Sequence, residues 1–467
     1  MPFENTTHRA DVTPADRRRH KWRDRLDDVA QRSPALFALV VFALIILIVT
    51  TLLLLPTARR GPGSASFIEA LFTATSAVCV TGLTVVDTAT FWTPLGQGFI
   101  AIGMQIGGLG VMTIASVLGL AVSRHIGLTQ RILTASETKS QLGEVGGLLR
   151  AVVITSASVE IALTAVFLPT FLQRHLGLLE AFGQSLFMAI STFNNGGFVA
   201  LPEGMHGYVG NWGLCLPLMA GTIIGAVGFP VILNVASHWR RPHRWSLHAK
   251  LTLITYALLL LLGGLGILLL EWANTATLGN LDLGSKILVA LTHSTTVRSS
   301  GLSTVDVGSM NESTWWLLDG LMFVGGGSAS TGGGIKVSTF AVLILAIIAE
   351  ARGDRDTEAF GKRISSSVIR LAISATFLGA ALVGVSTLII VHISHFPLSH
   401  VLFETVSAFG TCGLSTGITA QLPPIGKAVI ILLMYLGRVG TMTFAAALAL
   451  RHRRRVVRLP EERPIIG

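Results

Sequence analysis

Four short segments of this chain repeat one pattern, and each is centred on a glycine. The glycines are Gly82, Gly197, Gly301 and Gly413, which lie 115, 104 and 112 residues apart. In each copy a serine or threonine stands six positions before the glycine, and apolar residues stand four positions before it and one position after it. Repetition of this kind predicts four equivalent structural units. We expect the four loops to meet on a common axis and to line a passage through the molecule.

The composition is that of a membrane protein. The mean hydropathy of the 467-residue chain is +0.66 and only 13% of its residues are charged, far from the average of soluble domains. Residues 35–55 contain no charge, and a helix of this length rises far enough to cross a hydrocarbon core of about 30 Å. The segment is too long for the apolar part of a signal peptide. We therefore predict an all-α protein with several spanning helices.

The net charge of +10 comes from connections and tails, and it does not form one basic face. Segments 1–34, 123–150, 238–250, 351–363 and 451–467 hold 26 of the 35 lysines and arginines. All five lie on one side if the chain crosses the membrane twice between each, which is the positive-inside pattern. We predict a multi-pass protein of the cell membrane, in contact with lipid, with both termini in the cytoplasm and no nucleic-acid partner.

The repeats divide the chain into six predicted parts. Each repeat is expected to contain a spanning helix, a short re-entrant pore helix, the glycine loop and a second spanning helix. The apolar segments before the glycines are too short to span, which predicts eight spanning helices and four pore helices around one central pore. The predicted parts are a basic cytoplasmic arm over 1–34, repeats over 35–122, 123–237, 238–349 and 350–450, and a cytoplasmic tail over 451–467.

Glycine runs fall within two of the second spanning helices. Residues 325–334 read GGGSASTGGG inside an apolar stretch, and six glycines in such a run cannot hold a continuous helix. We predict a mobile gate beneath the loops, with a plain bend between helices as the alternative. For the glycines of 103–110, close helix packing is favoured over a break. Residues 214–237 are predicted as one span.

Two charged residues fall inside predicted spans. Arg438 lies about 12 residues from the end of the last span, roughly 18 Å along a helix and too far for its side chain to reach the surface. A charge at that depth indicates function, and we predict an electrostatic barrier in the passage. Glu160, in the second repeat, has no assigned role.

Five further acidic residues flank the glycine loops. They would attract cations to the outer mouth or serve as hydrogen-bonded structural groups, and the sequence leaves both interpretations open. These residues are Glu69, Asp87, Glu180, Asp306 and Glu404.

The sequence carries no pattern typical of an enzyme active site. The motif HExxH is absent, which removes the common metalloprotease signature, and residues 413–417 match GxSxG only within a predicted glycine loop that no β-strand precedes, unlike the nucleophile turn of hydrolases. The cysteines Cys79, Cys215 and Cys412 have neither metal-binding nor disulfide-framework spacing. We expect no enzymatic activity and no cofactor.

Eight segments together carry a resemblance to a known family. They read SAVCVTGL, STFNNGGF, VRSSGLST, FETVSAFGTCGLSTGIT, MFVGGGSASTGGGIKVSTF, EAFGKRI, YLGRVGTMTF and RLPEERPIIG. With these segments the chain resembles the Trk/Ktr/HKT superfamily of cation transporters, and most of all the Ktr-type potassium-uptake membrane subunits. The similarity covers nearly everything after residue 35.

The resemblance implies four membrane–pore–membrane units around one pore, with a potassium selectivity filter formed by the four loops. The potassium ligands carried over by position are Val80, Thr81, Gly82, Asn195, Gly196, Gly197, Ser299, Ser300, Gly301, Thr411, Cys412 and Gly413. The intramembrane gating loop carried over by position comprises Gly326, Gly332, Gly333, Gly334 and Lys336, with Arg438 as the pore-blocking arginine. The resemblance also implies a homodimer seated on a cytoplasmic ring of RCK-type nucleotide-binding regulatory subunits.

The chain departs from the family pattern at several positions. Ser299 and Ser300 stand where threonine and alanine are more frequent, and Cys412 stands where valine is usual. No loop carries the full TVGYG sequence of potassium channels, so we expect imperfect rejection of Na⁺. A sodium-coupled or poorly selective cation transporter is the alternative within transport, and a membrane anchor or assembly scaffold is the alternative from another class.

Overall fold

The computed structural model describes residues 34–125, 141–173, 177–202 and 204–440. Residues 1–33 of the arm predicted over 1–34, and the whole tail predicted over 451–467, lie outside these residues. The α-helices of the described part are α1 (Pro34–Leu53), α2 (Phe67–Val78), α3 (Thr88–Phe91), α4 (Pro94–His125), α5 (Gln141–Leu172), α6 (Leu178–Asn194), α7 (Trp212–Val227), α8 (Phe229–Ser237), α9 (Leu247–Leu270), α10 (Leu283–Thr296), α11 (Glu312–Phe323), α12 (Val337–Arg352), α13 (Ser366–Ile393), α14 (Leu398–Gly410) and α15 (Pro424–Tyr435). A two-residue antiparallel hairpin, β1 (Glu358–Ala359) and β2 (Lys362–Arg363), joins α12 to α13.

Five helices of the described part, α1, α4, α5, α9 and α13, are each long and apolar enough to cross a membrane. They turn large apolar side chains outward. Leu261 of α9 is 62% exposed and Phe377 of α13 is 76% exposed. Apolar surface of this extent is stable when lipid covers it, so these helices form the outer layer of a multi-pass membrane protein.

The other three predicted spans are interrupted. Helix α7 ends at Val227 and α8 continues at an angle of 97°, which corrects the prediction of a single span over 214–237. Gly228 takes a φ of +97° between them, and Pro230 has no N–H to continue the helix. The freed carbonyl oxygen of Ala226 accepts a hydrogen bond from the Gly327 N–H at 2.7 Å. The Gly-Phe-Pro sequence was the available signal for this break.

The third repeat is broken where its glycine run predicted a break. Helix α11 ends at Phe323 and α12 begins at Val337. In the fourth repeat, α15 ends at Tyr435 and a π-helical turn follows over Leu436–Gly440. Single π turns inside α-helices occur often at functional sites. The remainder of the predicted last span, 441–450, lies outside the described residues.

The short helices α2, α6, α10 and α14 form an inner layer. Each packs against the long helix that precedes it in the chain, and each also receives the second helix of another repeat. Helix α4 packs on α6, α7 on α10, α11 on α14, and α15 on α2. The contact of α15 with α2 joins the last described helix to the first short one and closes a ring.

Helix α4 runs unbroken through the glycines of residues 103–110, as the packing interpretation predicted. A methyl group on Gly107 would collide with the carbonyl oxygen of Val78, at the end of α2. A methyl group on Gly108 would lie 2.8 Å from the side-chain Cγ of Asn194, at the end of α6. These glycines therefore admit two short helices to close contact with α4, the usual effect of small residues between membrane helices.

Candidate functional site

Four glycines meet where the short helices end. Gly82, Gly197, Gly301 and Gly413 have φ values of +90°, +73°, +59° and +97°, a backbone region that other residues adopt only at a cost. Helices α2, α6, α10 and α14 end only a few residues before them. The partial negative charge of four helix C-termini is thereby directed to one place.

The loops contact each other in chain order and close on themselves. A methyl group on any of the four glycines would enter a neighbouring loop, which leaves no room for a side chain. A methyl group on Gly82 would lie 2.7 Å from the Cα of Gly197, and one on Gly197 would lie 2.6 Å from the carbonyl oxygen of Ser300. A methyl group on Gly301 would lie 2.9 Å from the Cα of Gly413, and one on Gly413 would lie 3.1 Å from the Cα of Gly82. The sequence-predicted ligand residues are thus brought together from all four repeats.

Three of the four loops share a second left-handed residue. Val80, Asn195 and Thr411, each two positions before the glycine, have φ values of +55°, +61° and +47°. In the third loop no such residue occurs, and the N–H groups of Ser300 and Gly301 both donate to the carbonyl oxygen of Thr296, at 2.9 Å each. Left-handed backbone at non-glycine residues is strained and concentrates at functional sites.

The hydroxyl six positions before the glycine supports two of the loops through the glycine itself. Ser76 Oγ accepts the hydrogen bond of the Gly82 N–H at 3.0 Å, and Ser407 Oγ accepts that of the Gly413 N–H at 3.1 Å. In the second loop the Ser191 hydroxyl donates to the Phe198 carbonyl at 2.8 Å. In the third, Thr295 donates to Leu291 of its own helix. The repeated hydroxyl therefore acts as a loop support in three repeats.

Oxygen atoms are the ligands that this site offers. Among the described residues no group of three or more His, Cys, Asp or Glu side chains is placed to hold a metal ion. The buried hydroxyls of Thr81, Ser299 and Thr411 have no protein partner. The Cys412 thiol donates to the carbonyl oxygen of Val297 at 2.6 Å and links the fourth loop to the third. Main-chain carbonyls and free hydroxyls are suited to a dehydrated monovalent cation.

The glycine-rich loop between α11 and α12 lies directly against the glycine ring. Its base is closed by a parallel bridge between Val324 and Ile335. Asn195 Nδ2 donates to Thr331 Oγ1 at 2.5 Å. A methyl group on Gly332 would lie 2.7 Å from Ser299 Oγ, and one on Gly333 would lie 2.9 Å from Thr411 Cγ2. A methyl group on Gly326 would lie 3.0 Å from the Ala226 carbonyl oxygen. The loop therefore touches three of the four glycine loops and the end of α7.

Two cationic side chains hold this loop through its carbonyl oxygens. Lys336 Nζ donates to the Gly332 carbonyl at 2.6 Å, and Arg438 Nη1 donates to the Thr331 carbonyl. Arg438 is 1% exposed, and its Nε and Nη2 have no protein partner. Its side chain thus stays inside the protein and does not reach the membrane surface. Gly334, with a φ of +63°, completes the turn back toward α12.

A second buried arginine lies in the third glycine loop, and sequence reasoning assigned it no role. Arg298 is fully buried, its guanidinium lies 3.6 Å from the ring centroid of Tyr256, and its Nη1 donates to the Tyr256 carbonyl at 3.1 Å. Stacking of this kind stabilises a desolvated guanidinium. The position of Arg298 three residues before Gly301 was the available signal.

The acidic residues beside the loops serve mainly as structural groups. Glu69 forms a capping box with Ser66 at the start of α2, and Asp87 and Asp306 cap the short helices that follow two of the loops. Glu404 is 1% exposed and accepts hydrogen bonds from the residues that follow Gly413, including the Thr416 N–H at 2.9 Å. Glu180 is exposed in the first turn of α6.

Glu271, just after α9, is another structural carboxylate. Burial raises the pKa of Glu271, but hydrogen bonds from Thr277, Thr314, Asn311 and Asn274 outweigh burial and hold that pKa below its ordinary value. A carboxylate of this kind stabilises the folded state when it is ionised. Glu271 ties the end of α9 to the start of α11.

The fold and the ring of loops define a multi-pass membrane protein with an oxygen-lined polar centre. The family described as TrkH, cation transport protein, matches residues 14–455, and the chain belongs to this family. Its members are cation transporters and not enzymes.

Curated relatives and a solved structure agree with this assignment. The chain is 38% identical to Ktr system potassium uptake protein B of Bacillus subtilis (strain 168), over 91% of the chain and 95% of that protein. It is 36% identical to Ktr system potassium uptake protein B of Vibrio alginolyticus, over 86% of the chain and 88% of that protein. It is 34% identical to potassium/sodium uptake protein NtpJ of Enterococcus hirae, over 95% and 98%. The potassium transporter TrkH from Vibrio parahaemolyticus has the same fold, with a TM-score of 0.69 at 17% identity over 96% of this chain and 87% of that one.

Proposed function

We infer that this protein takes up K⁺ across the cell membrane through a gated pore whose selectivity filter is the ring of four glycine loops. The observation that carries this proposal is the closed ring of contacts through Gly82, Gly197, Gly301 and Gly413. Residues from all four repeats meet there, with free hydroxyls and main-chain carbonyls as the available ligands. Such oxygens replace the hydration shell of a monovalent cation.

The membrane potential supplies the driving force for uptake. A charge crossing 100 mV gains about 2.3 kcal/mol, which corresponds to roughly 50-fold accumulation. A cell whose inside is negative concentrates K⁺ through such a pore without hydrolysis of a nucleotide by the transporter. The ligand set proposed for K⁺ comprises the twelve residues named from the resemblance.

The glycine-rich loop is proposed as the gate. Its Thr331, Gly332 and Gly333 lie against the glycine ring, and Lys336 and Arg438 hold it there. Displacement of this loop would take its backbone away from the glycine ring and break the hydrogen bonds that Lys336 and Arg438 donate to it. The alternative of a plain bend does not account for a buried arginine and a half-buried lysine that bind adjacent carbonyls of the loop.

The basic connections support cytoplasmic termini. Lys250, in the first turn of α9, lies 5.6 Å from the ring centroid of Phe360, in the hairpin after α12. Two of the five basic segments therefore meet at one end of the molecule, as the positive-inside rule requires. We propose that this end faces the cytoplasm, that the protein is a homodimer of whole pores, and that an RCK-type nucleotide-binding ring docks on this face.

A sodium-coupled or poorly selective transporter is the second candidate. It is favoured by the third loop, which lacks the left-handed residue found in the other three, and by Ser299, Ser300 and Cys412, which depart from the family pattern. The relative from Enterococcus hirae is named a potassium/sodium uptake protein.

Ion flux into proteoliposomes tests the proposal. We expect uptake of Rb⁺ driven by an inside-negative potential, with Na⁺ as a weak competitor, and we expect Gly413→Ser to reduce the Rb⁺/Na⁺ ratio by roughly tenfold because a side chain there enters the first loop. Gly384→Ser is the matched control, since a methyl group on Gly384 meets no atom within 4 Å.

Equal ratios for Gly413→Ser, Gly384→Ser and the unmodified protein, with all three monodisperse, would contradict the filter assignment. Absence of any flux in the unmodified protein would favour the anchor or scaffold alternative. A ratio near one in the unmodified protein would favour the poorly selective transporter.

A further inference from the structure

A buried polar network lies behind the second glycine loop, where α4, α5 and α6 meet. Ser156 Oγ donates to Glu160 Oε1 at 2.8 Å, and Gln105 Nε2 donates to Glu160 Oε2 at 3.2 Å. Asn194 Nδ2 donates to Gln105 Oε1 at 2.7 Å, and it also lies within hydrogen-bond distance of the Ile190 carbonyl oxygen at 3.0 Å and of Glu160 Oε1 at 3.2 Å. The network thus joins two long helices to the last residue of a short helix.

Glu160 is the acceptor at the centre of this network. Its carboxylate accepts three hydrogen bonds and donates none, although it is only 8% exposed. Within the described part of the chain no basic side chain forms an ion pair with it. A buried carboxylate is costly in a membrane, and three donors directed at it show that the site is built around an acceptor.

The network acts on the filter through two consecutive asparagines. Asn194 faces Glu160, and the next residue, Asn195, takes a φ of +61° and donates to Thr331 Oγ1 of the glycine-rich loop. Thr331 Oγ1 in turn approaches the carbonyl oxygen of Phe193 at 3.4 Å. The start of the second glycine loop is therefore held on one side by Glu160 and on the other by the glycine-rich loop.

This arrangement belongs to the second loop. The residue three positions before the glycine is Cys79, Asn194, Arg298 and Gly410 in the four loops. Asn194 is the one residue of these four with a side-chain amide, and its NH₂ group donates to an acceptor on α5 and to an acceptor on α4. Gly108 makes room for that amide, since a methyl group there would lie 2.8 Å from Asn194 Cγ.

We propose that Glu160 is a positioning residue for the second filter loop, so that ion selectivity depends on the hydrogen bonds it accepts from Gln105, Ser156 and Asn194. Through Asn194 it fixes the left-handed turn at Asn195 and the contact of Asn195 with Thr331. This inference rests on the proposed function of the glycine ring as a K⁺ filter.

Exchange of donors and acceptors tests this role. Glu160→Gln places an amide NH₂ opposite the NH₂ of Gln105, so the hydrogen bond between these two side chains is lost. If the Gln105 amide turns over to restore that bond, its NH₂ faces the NH₂ of Asn194, and the bond from Asn194 to Gln105 is lost instead. We expect the Rb⁺/Na⁺ flux ratio in proteoliposomes to fall about fivefold to tenfold. The double variant Gln105→Glu, Glu160→Gln moves the carboxylate to α4, where it accepts from the amide introduced on α5 and from Asn194, and this variant is expected to restore most of the ratio.

Two further variants keep the test informative. Ser156→Ala removes one donor and leaves the carboxylate in place, and it is expected to lower the ratio less than Glu160→Gln does. Ser158→Ala is the control, because Ser158 is an exposed residue of the same helix whose hydroxyl bonds to Ile154. Melting temperature is measured alongside, since a purely structural role would lower the melting temperature and the total flux without changing the ratio.

The outcomes separate this inference from the proposed function. A selective unmodified protein with an unchanged ratio in Glu160→Gln overturns the role of Glu160. A double variant no better than Glu160→Gln, with both proteins monodisperse, overturns it as well. If Glu160→Gln does not fold, an unchanged ratio in Ser156→Ala has the same meaning. An unmodified protein without selective flux would instead refute the filter.

Discussion

Single hydroxyl groups decide the shape of the glycine loops. Ser76 and Ser407 each accept the N–H of the glycine six positions later, in a buried bond for Gly82 and a half-buried bond for Gly413. A buried N–H without an acceptor costs about 1–3 kcal/mol. The serines therefore fix loops that would otherwise be free to rotate their peptide groups away from a bound ion.

Removal of one such hydroxyl is expected to weaken selectivity. Ser407→Ala leaves the Gly413 N–H without its acceptor, and we expect the Rb⁺/Na⁺ flux ratio to fall about fivefold or more. Competition by Na⁺ against Rb⁺ uptake in proteoliposomes measures this effect. Thr295→Val is the control, because Thr295 bonds to its own helix. Equal losses in both variants would show that the hydroxyl has no special role in the loop.

Broken helices bring the glycine-rich loop, the proposed gate, into contact with the glycine ring. The break at Gly228 frees the Ala226 carbonyl, which accepts a hydrogen bond from the Gly327 N–H at 2.7 Å. The broken helix of the second repeat therefore contacts the glycine-rich loop that interrupts the third. Irregular backbone at membrane depth is stable only when protein or a water-filled cavity satisfies its polar groups. Here each break supplies hydrogen-bond partners for the other.

Loss of the arginine that holds the gate is expected to raise flux. Arg438→Ala removes the charge-assisted bond to the Thr331 carbonyl, worth about 1.5–3 kcal/mol, and it also removes a positive charge from the path. We expect Rb⁺ flux to increase several-fold at equal reconstitution, and deletion within residues 328–334 to act in the same direction. Arg240→Ala, in an exposed connection, serves as the control. Unchanged or lower flux in Arg438→Ala would argue against a gate at this position.

The ring of loops is completed within one chain. Helix α15 closes on α2, and Gly413 closes on Gly82, so a partner subunit is not needed to form the passage. A homodimer of this protein would therefore contain two separate pores. This differs from a pore in which each of four subunits contributes one loop, where one defective subunit alters the common filter.

A mixed dimer distinguishes the two arrangements. Co-expression of the unmodified chain and Gly301→Ala with different tags, followed by tandem affinity purification, is expected to yield dimers that keep about half of the Rb⁺ flux, since each pore depends on its own loops. Flux close to zero would show that the subunits share a pore. Failure to recover any doubly tagged protein would contradict the proposed homodimer.

Much of the architecture follows from local features of the sequence. The four glycines, the short apolar segments before them and the run of residues 325–334 predicted the four loops, the four short helices and the break between α11 and α12. The structure has a short helix before each glycine, a left-handed turn at each glycine and the break after α11, because such turns, helix length and helix breaking depend on neighbouring residues. The break at Gly228 was missed, although Pro230 marked it.

The contacts that define the site depend on packing between distant residues. Asn195 meets Thr331 across 136 positions and Arg438 meets the same residue across 107, and no local pattern specifies such a pair. The sequence identified Glu160 and Arg438 as charged residues inside predicted membrane spans, because the cost of burying a charge depends on the residue and on the apolar residues around it in the chain. Three amide and hydroxyl donors offset that cost for Glu160, and a loop carbonyl offsets it for Arg438. The tertiary structure alone determines these partners, since hydrogen bonds require atoms within about 3 Å and the ring of helices brings the atoms that close.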